Sequence, residues 1–263
     1  MTRAEPIYIL AKCRNAKLVE ASMLVFRTIR VGFPDAPIIV YGMAPDMGAL
    51  LQIENKAREV GARWADISRL RLGHHDEWIA LLLHRHHKPF WICDTDVVFW
   101  RKFEFESTHQ ALAGVLVPEF YEPWTQTQYR ARLHTCLMRI DPQRFQANCD
   151  FYRRRCAQMP FEPRINFVHQ QFQPERRGDE RVDYFYDTLA MAWHAFGGQA
   201  FTQEQIESFD HLNCATYADL IGPSLDFPIE EAHRAIYEDH TCARGLWARQ
   251  FEWFEQHKER QLV

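Results

Sequence analysis

The sequence lacks any long apolar run, and its N-terminus lacks the apolar core of a secretory signal. No stretch approaches the roughly 20 consecutive apolar residues that a membrane-spanning helix needs, so no transmembrane segment is predicted. Lys12, Arg14 and Lys17 interrupt the apolar residues near the N-terminus, which argues against a signal peptide. These absences predict a soluble, cytoplasmic protein.

The chain also lacks a strong net charge and any Cys-X-X-Cys pair. A net charge of −4 offers no electrostatic basis for binding nucleic acid, which is therefore not an expected partner. The short basic runs at 153–155 and 176–177 are typical of a solvated helix face and a loop. The seven cysteines are odd in number and several lie in apolar runs, which favours buried free thiols in a reducing compartment.

What the sequence does contain is enough apolar material for a large core. Of its 263 residues, 47% are hydrophobic and 14% aromatic. We predict a single domain over 1–263, although two small domains also fit this length. In the first half, apolar runs alternate with amphipathic segments, which predicts an α/β fold with right-handed crossovers and a mostly parallel central sheet. The predicted strands cover 7–11, 38–41 and 62–67, and the predicted helices cover 17–31, the segment after Asp46, and 76–86.

The most informative stretch is 89–100, where Asp94 and Asp96 interrupt an otherwise apolar segment. The run at 90–93 predicts a buried strand, so Asp94 lies where the strand leaves the sheet, the edge at which open α/β sheets bind ligands. Buried carboxylates are costly unless they are paired or hold a cation. Two of them at a bend can converge on one Mg²⁺ or Mn²⁺ ion. The alternative is a strand end with two aspartates that cap nearby amides.

Asp94-Thr95-Asp96, flanked by apolar residues on both sides, resembles the Asp-X-Asp signature of glycosyltransferases with the GT-A fold. This resemblance implies a Rossmann-type three-layer α/β/α fold. It also implies that Asp94 and Asp96 hold Mn²⁺ or Mg²⁺, which grips the diphosphate of a nucleotide-sugar donor. A UDP-sugar is the default donor of the class, by analogy.

The same resemblance divides the chain into two functional halves. It implies a nucleotide-sugar-binding half over 1–100 and an acceptor-binding half over 101–263, with a carbohydrate or another hydroxyl compound as the acceptor. In this family the turn after the first strand contacts the nucleoside, and this turn contains Lys12, Arg14 and Asn15. An ordinary strand-to-helix loop is the alternative.

The second half of the chain has a less regular pattern. It predicts strands over 111–117 and 133–140, the latter followed by a helix to about 158. The segment 118–129 is rich in Tyr, Trp and Gln, which suits a loop that binds the donor sugar or the acceptor, or a plain surface loop. The polar segment 162–179 is predicted to be irregular.

A candidate acidic residue follows this irregular segment. Asp183 is predicted to cap a helix with an apolar stripe at Phe185, Leu189, Ala192, Trp193 and Phe196. Tyr186-Asp187-Thr188-Leu189 resembles the Glu-Asp-X-Leu pattern with which GT-A enzymes face the acceptor, although the first acidic residue is missing. Asp187 is therefore the candidate acceptor-side acid, with Asp183 as the alternative and a plain N-cap as the structural interpretation.

A histidine provides the third candidate metal ligand. GT-A enzymes often supply a late histidine beside the diphosphate, and His211 follows an apolar-flanked segment at a suitable distance from Asp96. A neutral imidazole can complete an aspartate-rich Mn²⁺ site. His233 and His240 are competing candidates, and two helices are predicted over 229–257.

Two other functions are compatible with Asp94 and Asp96. Haloacid-dehalogenase-type phosphatases also carry an Asp-X-Asp at a strand end, and Gly178-Asp179 with Asp183 matches the spacing of their metal motif. Against this, βα units precede the strand, and no lysine occurs from 103 to 257 to hold a phosphoryl group. A non-catalytic module that binds sugar nucleotides is the other alternative.

Overall fold

A computed structural model of the chain describes residues 4–13, 19, 23–44, 46–70, 72, 74–106, 109–122, 127–156, 166–177 and 180–211. The chain forms two compact units. Unit 1 consists of 1–70, 93–105 and 202–263, and unit 2 consists of 71–92 and 106–201. The single domain over 1–263 stays a prediction.

The described residues form short strands and helices that alternate in the first half of the chain. In chain order they are β1 (Ile7–Lys12), α1 (Val25–Gly32), β2 (Ile38–Met43), α2 (Met47–Glu59), β3 (Arg63–Asp66), α3 (His75–Arg85), β4 (Phe90–Cys93), β5 (Val97–Phe99), β6 (Leu112–Val117), β7 (Phe120–Glu122), β8 (Thr127–Tyr129), β9 (Arg132–Ile140), α4 (Pro142–Cys156), β10 (Gln171–Arg177), β11 (Glu180–Tyr186), α5 (Ala190–Phe196), β12 (Gln199–Ala200), α6 (Gln203–Ile206) and β13 (Phe209–His211).

The largest sheet has seven strands in the order β12, β6, β9, β4, β1, β2, β3. β1, β2 and β3 are parallel neighbours, β12 is parallel to β6, and β9 is antiparallel to β6. The predicted α/β class with a mostly parallel central sheet is therefore confirmed. A second sheet has four strands in the order β10, β11, β8, β7, and β13 pairs with β5.

In unit 1 the first βαβ segments follow the sequence pattern closely. β1 is buried along 7–11 and begins in register with β2, where Ile7 lies opposite Ile38. As predicted, Asp46 caps α2, because its side chain accepts a hydrogen bond of 2.8 Å from the backbone N–H of Ala49. Gly61, which follows α2, has a φ of 69°, a left-handed conformation that glycine adopts at little cost.

Three predictions for the second half are wrong. The segment 118–129 contains β7 and β8 rather than a plain loop, and 171–177 forms β10 rather than irregular structure. The helix predicted from Asp183 is instead β11, and the following helix begins only at Ala190. The physical reason is that apolar and aromatic side chains alternate with period two along β11, burying Tyr184 and Tyr186, and β10 pairs with it along its whole length.

Other expectations concern thiols, membranes and the C-terminal region. Four of the cysteines, at positions 13, 93, 136 and 149, are buried and form no disulfide, as expected. Within the ranges that the structure describes, no helix has both the length and the apolar character that crossing a bilayer requires. The two helices predicted over 229–257 lie outside the described residues.

Candidate metal centre

Asp94 and Asp96 lie directly after β4, at the point that the sequence predicted. All four residues of β4 are buried, and the chain then turns through Asp94, Thr95 and Asp96 before β5 begins. The Asp96 side chain is only 5% exposed, whereas that of Asp94 is 26% exposed. The first residue of α1 fixes this turn, because the backbone N–H of Val25 donates to the carbonyl of Thr95 at 2.7 Å.

A short antiparallel ladder brings His211 to the same place. β13 pairs with β5 so that His211 lies opposite Val97, the residue that follows Asp96. The indole N–H of Trp100 donates to Asp210 at 2.8 Å, and its backbone N–H donates to the carbonyl of Ser208 at 2.9 Å. These bonds hold β13 beside β5, so residues distant in sequence meet at one site.

The side chains of Asp94, Asp96 and His211 converge. Nε2 of His211 lies 3.1 Å from Oδ1 of Asp96 and 3.7 Å from Oδ2 of Asp94. One ligand atom from each of the three residues lies within 4.8 Å of the other two. Two carboxylate oxygens and one imidazole nitrogen in this arrangement fit Mn²⁺ or Mg²⁺. Both ions prefer hard oxygen ligands, and Mn²⁺ also accepts imidazole.

The electrostatics of the site favour a positive charge. Burial alone would lower the pKa of His211, but the adjacent carboxylate of Asp96, and secondarily that of Asp94, raise it overall. The two aspartates thus favour a proton on His211. A divalent cation would satisfy the same carboxylates, and it would bind the neutral imidazole in place of that proton.

Contacts between α1 and the segment that contains β5 hold the site in place. Thr28 is fully buried in α1, and its hydroxyl accepts the backbone N–H of Phe99 at 2.9 Å. A Cβ atom at Gly32 would lie 2.4 Å from Cδ1 of Phe99, so only glycine leaves room for that ring. The backbone N–H of Phe103 then donates to the carbonyl of Gly32 at 2.9 Å. α1 therefore fixes both ends of the segment that carries Asp96.

The remaining predicted site residues lie elsewhere or outside the described ranges. Lys12 is the last residue of β1, while Arg14 and Asn15 fall outside the described residues, as do His233 and His240. The predicted nucleoside contact is therefore untested and stays a prediction.

Asp187 belongs to unit 2, where it follows β11. Its Oδ2 accepts from Nε of Arg132 at 3.0 Å, and its Oδ1 accepts the backbone N–H of Thr188 at 2.8 Å. Asp183 lies within β11, is 63% exposed and has Arg181 at 3.6 Å, so it is not the N-cap that the sequence predicted. Gly178 and Asp179 of the alternative phosphatase motif fall outside the described residues.

Two arginines of unit 2 form ion pairs with acidic side chains, and the sequence did not predict these pairs. Arg132 is 7% exposed at the start of β9, and its guanidinium carbon lies 5.2 Å from the centre of the Tyr129 ring. Arg130 donates to Glu175 at 3.1 Å and to Glu119 at 2.7 Å. The signal in the sequence was slight: two arginines at the start of an apolar run, with acidic partners far along the chain.

The hydroxyl of Tyr186 completes this network by donating to Glu175. Burial, and then the hydrogen bond to Glu175, raises the pKa of Tyr186 to about 12. Tyr186 therefore stays protonated and acts as a hydrogen-bond donor at neutral pH.

Comparison with known proteins identifies no family for this chain. No protein-family model matches the sequence, and no curated protein matches it. Among solved structures, the glycosyltransferase GlyE from Streptococcus pneumoniae TIGR4 is similar over 96% of this chain and 64% of its own, with a TM-score of 0.44 and 9% identity.

Two other solved structures are similar to a comparable degree. The mannosyltransferase PcManGT from Pyrobaculum calidifontis, in complex with GDP-Man and Mn²⁺, matches over 89% of this chain and 62% of its own, with a TM-score of 0.43 and 8% identity. The bifunctional glycosyltransferase WbbM matches over 57% of this chain and 34% of its own, with a TM-score of 0.38 and 10% identity. This chain spans less than two thirds of the length of each of these structures. Likeness at this level does not carry a functional assignment, which rests on the site itself.

Proposed function

We propose that this protein is a metal-dependent glycosyltransferase of the GT-A type. It would move a sugar from a nucleotide-sugar donor, by analogy a UDP-sugar, to a hydroxyl of a carbohydrate or another acceptor. The observation that carries the proposal is the convergence of Asp94, Asp96 and His211 at the end of a buried strand of an α/β sheet. Ligands bind at the carboxyl ends of strands in open α/β sheets, and an acidic metal site at such an end suits transfer from a diphosphate donor.

Each protein group has a distinct role in this proposal. Asp94, Asp96 and neutral His211 would hold Mn²⁺ or Mg²⁺, and a bound ion would supply Lewis-acid chemistry toward the diphosphate of the donor. Lys12, with Arg14 and Asn15, contacts the nucleoside. Three protein ligands are fewer than the six that Mg²⁺ and Mn²⁺ prefer, so such an ion could also bind oxygens of the donor.

On the acceptor side, the proposal assigns Asp187 to the acceptor hydroxyl. Asp187 would orient this hydroxyl or remove its proton. Its side chain is 27% exposed, and the contact with Arg132 holds it in place. A carboxylate oxygen can accept a hydrogen bond from a sugar hydroxyl, which would orient that hydroxyl for attack.

Thermal unfolding in the presence of nucleotides tests this proposal. Wild type and Asp96→Ala would each be measured with UDP, GDP, ADP and CMP, in Mn²⁺ or in chelator. A ligand of the native state raises the midpoint by mass action. We expect one nucleoside diphosphate to raise the midpoint of the wild type in Mn²⁺ only, and Asp96→Ala to abolish this effect. A shift that persists in chelator or in the variant would contradict the metal site.

A further inference from the structure

A row of aromatic side chains crosses the four-stranded sheet of unit 2, with one ring on each strand. From β10 to β7 the residues are Phe172, Phe185, Tyr129 and Phe120, and each lies opposite the next in the strand register. Residues opposite one another in adjacent strands project from the same face of a sheet. The four side chains therefore share one face, and we call them the aromatic row.

The rings of the aromatic row contact one another in sequence. The ring centres of Phe172 and Phe185 lie 5.0 Å apart, and that of Phe185 lies 5.1 Å from that of Tyr129. The rings of Tyr129 and Phe120 are stacked with their centres 4.8 Å apart. Neighbouring strands are spaced by about 4.8 Å, so a row of four spans roughly 14 Å. The row is therefore long enough for more than one sugar ring to lie along it.

The aromatic row is on the more exposed face of this sheet. On the opposite face, Tyr184 and Tyr186 are buried in a cluster with Ala190 of α5. In the row, Phe172 is 62% exposed, and the other three residues are half-buried. One exposed aromatic side chain is ordinary on a protein surface, but a continuous strip of them is typical of a binding surface.

A carboxylate and a guanidinium group border the row at β8 and β7. Asp187 follows Phe185 by two residues, and its Oδ2 accepts from Nε of Arg132 at 3.0 Å. The guanidinium carbon of Arg132 lies 5.2 Å from the centre of the Tyr129 ring and 5.5 Å from that of Phe120. Polar groups that donate and accept hydrogen bonds therefore lie beside the aromatic rings.

A second ion pair lies on the other side of Phe185 along β11. Asp183 precedes Phe185 by two residues, so strand alternation places it on the same face, and its Oδ1 lies 3.6 Å from Nε of Arg181. Each ion pair is neutral as a whole, so these pairs offer an anion no net positive charge. A neutral compound with apolar C–H faces and many hydroxyl groups matches such a surface, and carbohydrates have this chemistry.

A buried donor of Arg132 also indicates a polar ligand. The Arg132 side chain is 8% exposed, and its Nη1 is buried without a hydrogen-bond partner among the described residues. A buried donor without an acceptor costs free energy, and most such donors in folded proteins are paired. An oxygen acceptor held beside Tyr129 and Phe120 would reduce this cost.

A second copy of the chain suits the aromatic row less well than a carbohydrate does. Stable protein–protein interfaces bury about 800 Å² on each partner, and charged residues are depleted at their centres. In the row only Phe172 is mostly exposed, and Arg181 and Asp183 lie on the same face. A protein interface over this face would have to bury those charges, whereas a sugar hydroxyl can bond to them.

We infer that the aromatic row and the Asp187–Arg132 pair form a binding site for a neutral oligosaccharide. Successive sugar rings place their C–H faces against the aromatic side chains, and hydroxyl groups bond to Asp187 and Arg132. All six residues belong to unit 2. Such binding needs neither a nucleotide-sugar donor nor a metal ion, so it is a property in addition to the proposed transfer.

Isothermal titration of the full chain, in chelator and without nucleotide, tests this site. The probes are linear hexasaccharides of glucose, mannose, galactose and N-acetylglucosamine, the corresponding monosaccharides, and an oligogalacturonate as the acidic comparison. We expect at least one neutral hexasaccharide to bind about 10-fold or more tightly than its monosaccharide, because it covers more of the row. The oligogalacturonate should bind more weakly than that hexasaccharide.

Substitutions of Phe172 test the contribution of the aromatic row. Phe172→Ala should weaken binding of the hexasaccharide about 10-fold, and Phe172→Leu should lose most of the same affinity, because it keeps apolar surface but has no ring. Phe172→Trp should retain the affinity. Phe151→Ala is the matched control, since Phe151 is 57% exposed on α4 and lies outside the row, and its affinity should equal that of the wild type.

Asp187→Asn tests the polar border of the row. Hydrogen bonds to a carboxylate are about twice as strong as neutral ones, so this variant should bind the hexasaccharide about 5-fold more weakly. If its unfolding midpoint shows that Asp187→Asn does not fold, the Phe172 variants decide the matter alone.

Several results would overturn the oligosaccharide site. They are the absence of binding to every neutral hexasaccharide, affinity no greater than for monosaccharides, preference for the oligogalacturonate, or full affinity in Phe172→Ala. A dimer in sedimentation that Phe172→Ala abolishes and Phe151→Ala does not would assign the row to a second copy of the chain instead.

The titrations also distinguish this site from the proposed transferase function. Oligosaccharide binding by a wild type that shows no metal-dependent nucleotide binding would overturn the proposed function and leave the oligosaccharide site standing. Metal-dependent nucleotide binding without oligosaccharide binding would overturn the oligosaccharide site alone.

Discussion

The two units use acidic residues in different ways. In unit 1, Asp94 and Asp96 lie close together and face the imidazole of His211, so negative charge is concentrated at one point. In unit 2, Asp187 faces Arg132, and other acidic groups face arginines in the same manner. The same residue type therefore forms a candidate metal centre in unit 1 and an ion pair with an arginine in unit 2. The described partners differ, because an imidazole faces the carboxylates in unit 1 and an arginine faces Asp187 in unit 2.

This contrast has a physical basis in desolvation. A half-buried carboxylate with an arginine beside it is stable without any ligand, and it stabilises the fold only while the pair is intact. Two neighbouring carboxylates that face an imidazole gain Coulomb energy from an added divalent ion. Substitutions in unit 1 should thus change metal responses, and substitutions in unit 2 should change stability whether or not metal is present.

Removing the cation of unit 2 should have the greatest effect on stability. Arg132→Met leaves Asp187 half-buried without its partner and should lower the free energy of unfolding by about 3 kcal/mol. Denaturant unfolding in chelator and in Mn²⁺ would measure this loss, which we expect to be equal in the two conditions. Much of it should be recovered in Arg132→Met/Asp187→Asn, because the second change removes the unpaired charge.

Arg181→Met provides the matched control for that experiment. Arg181 is 73% exposed and its partner Asp183 is 63% exposed, so this substitution should cost less than about 0.5 kcal/mol. Equal losses in the two arginine variants would mean that burial does not distinguish these ion pairs, and the contrast between the units would fail.

Crowding the packing behind the metal site should have an intermediate effect. Gly32→Ala forces a methyl group against the ring of Phe99 and should lower the free energy of unfolding by about 1–3 kcal/mol. Thermal unfolding would show this loss as a lower midpoint. Because Phe99 ends the segment that carries Asp96, the midpoint shift with Mn²⁺ and nucleotide should also shrink. Replacing Phe99 by Leu in the same variant should restore part of the stability and part of the midpoint shift with Mn²⁺ and nucleotide. A normal metal response in Gly32→Ala would show that the site tolerates movement of β5.

The smallest expected effect is the pH dependence of the Glu175 network in unit 2. Burial would raise the pKa of Glu175, but hydrogen bonds from Arg130 and Tyr186 lower it below its ordinary value of 4.5. Its contribution to stability is therefore fully present above pH 4.5 and is lost as the pH falls through the lowered pKa. The free energy of unfolding should exceed that of Glu175→Gln by on the order of 1 kcal/mol at pH 7. This difference should shrink in acid, and a constant difference from pH 7 to 3 would contradict the prediction.

The first half of the chain was largely predictable because its signals are local. The apolar run of β4 and the two aspartates after it define the strand end, and Asp46 followed by an amphipathic stretch defines the start of α2. These patterns depend on residues within one turn or one strand of each other. His211 was also predicted as a metal ligand, from the pattern of a family and not from any local signal, and the structure places it beside Asp96.

The second half was predicted less well because its strands depend on pairing between distant segments. Residues 171–177 are polar, and they form β10 only because β11 supplies its hydrogen-bonding partner. The stretch after Val182 satisfies both a helical and an alternating apolar pattern, and burial of Tyr184 and Tyr186 decides for the strand. Asp187 thus lies at the end of a strand and not on the face of a helix.

By itself, the sequence determined the α/β class, the buried strand β4 and the position of Asp94 and Asp96 at its end, since hydrophobic periodicity and the cost of burying charge act over short stretches of chain. Only the tertiary structure decided which side chains face the carboxylates of Asp96, Asp187 and Asp76. The ladder of β13 on β5 places His211 at Asp96, and the folding of unit 2 places Arg132 at Asp187 and Asp76 at His169. Such contacts join residues far apart in the chain, and their electrostatic consequences appear only when the backbone has brought them together.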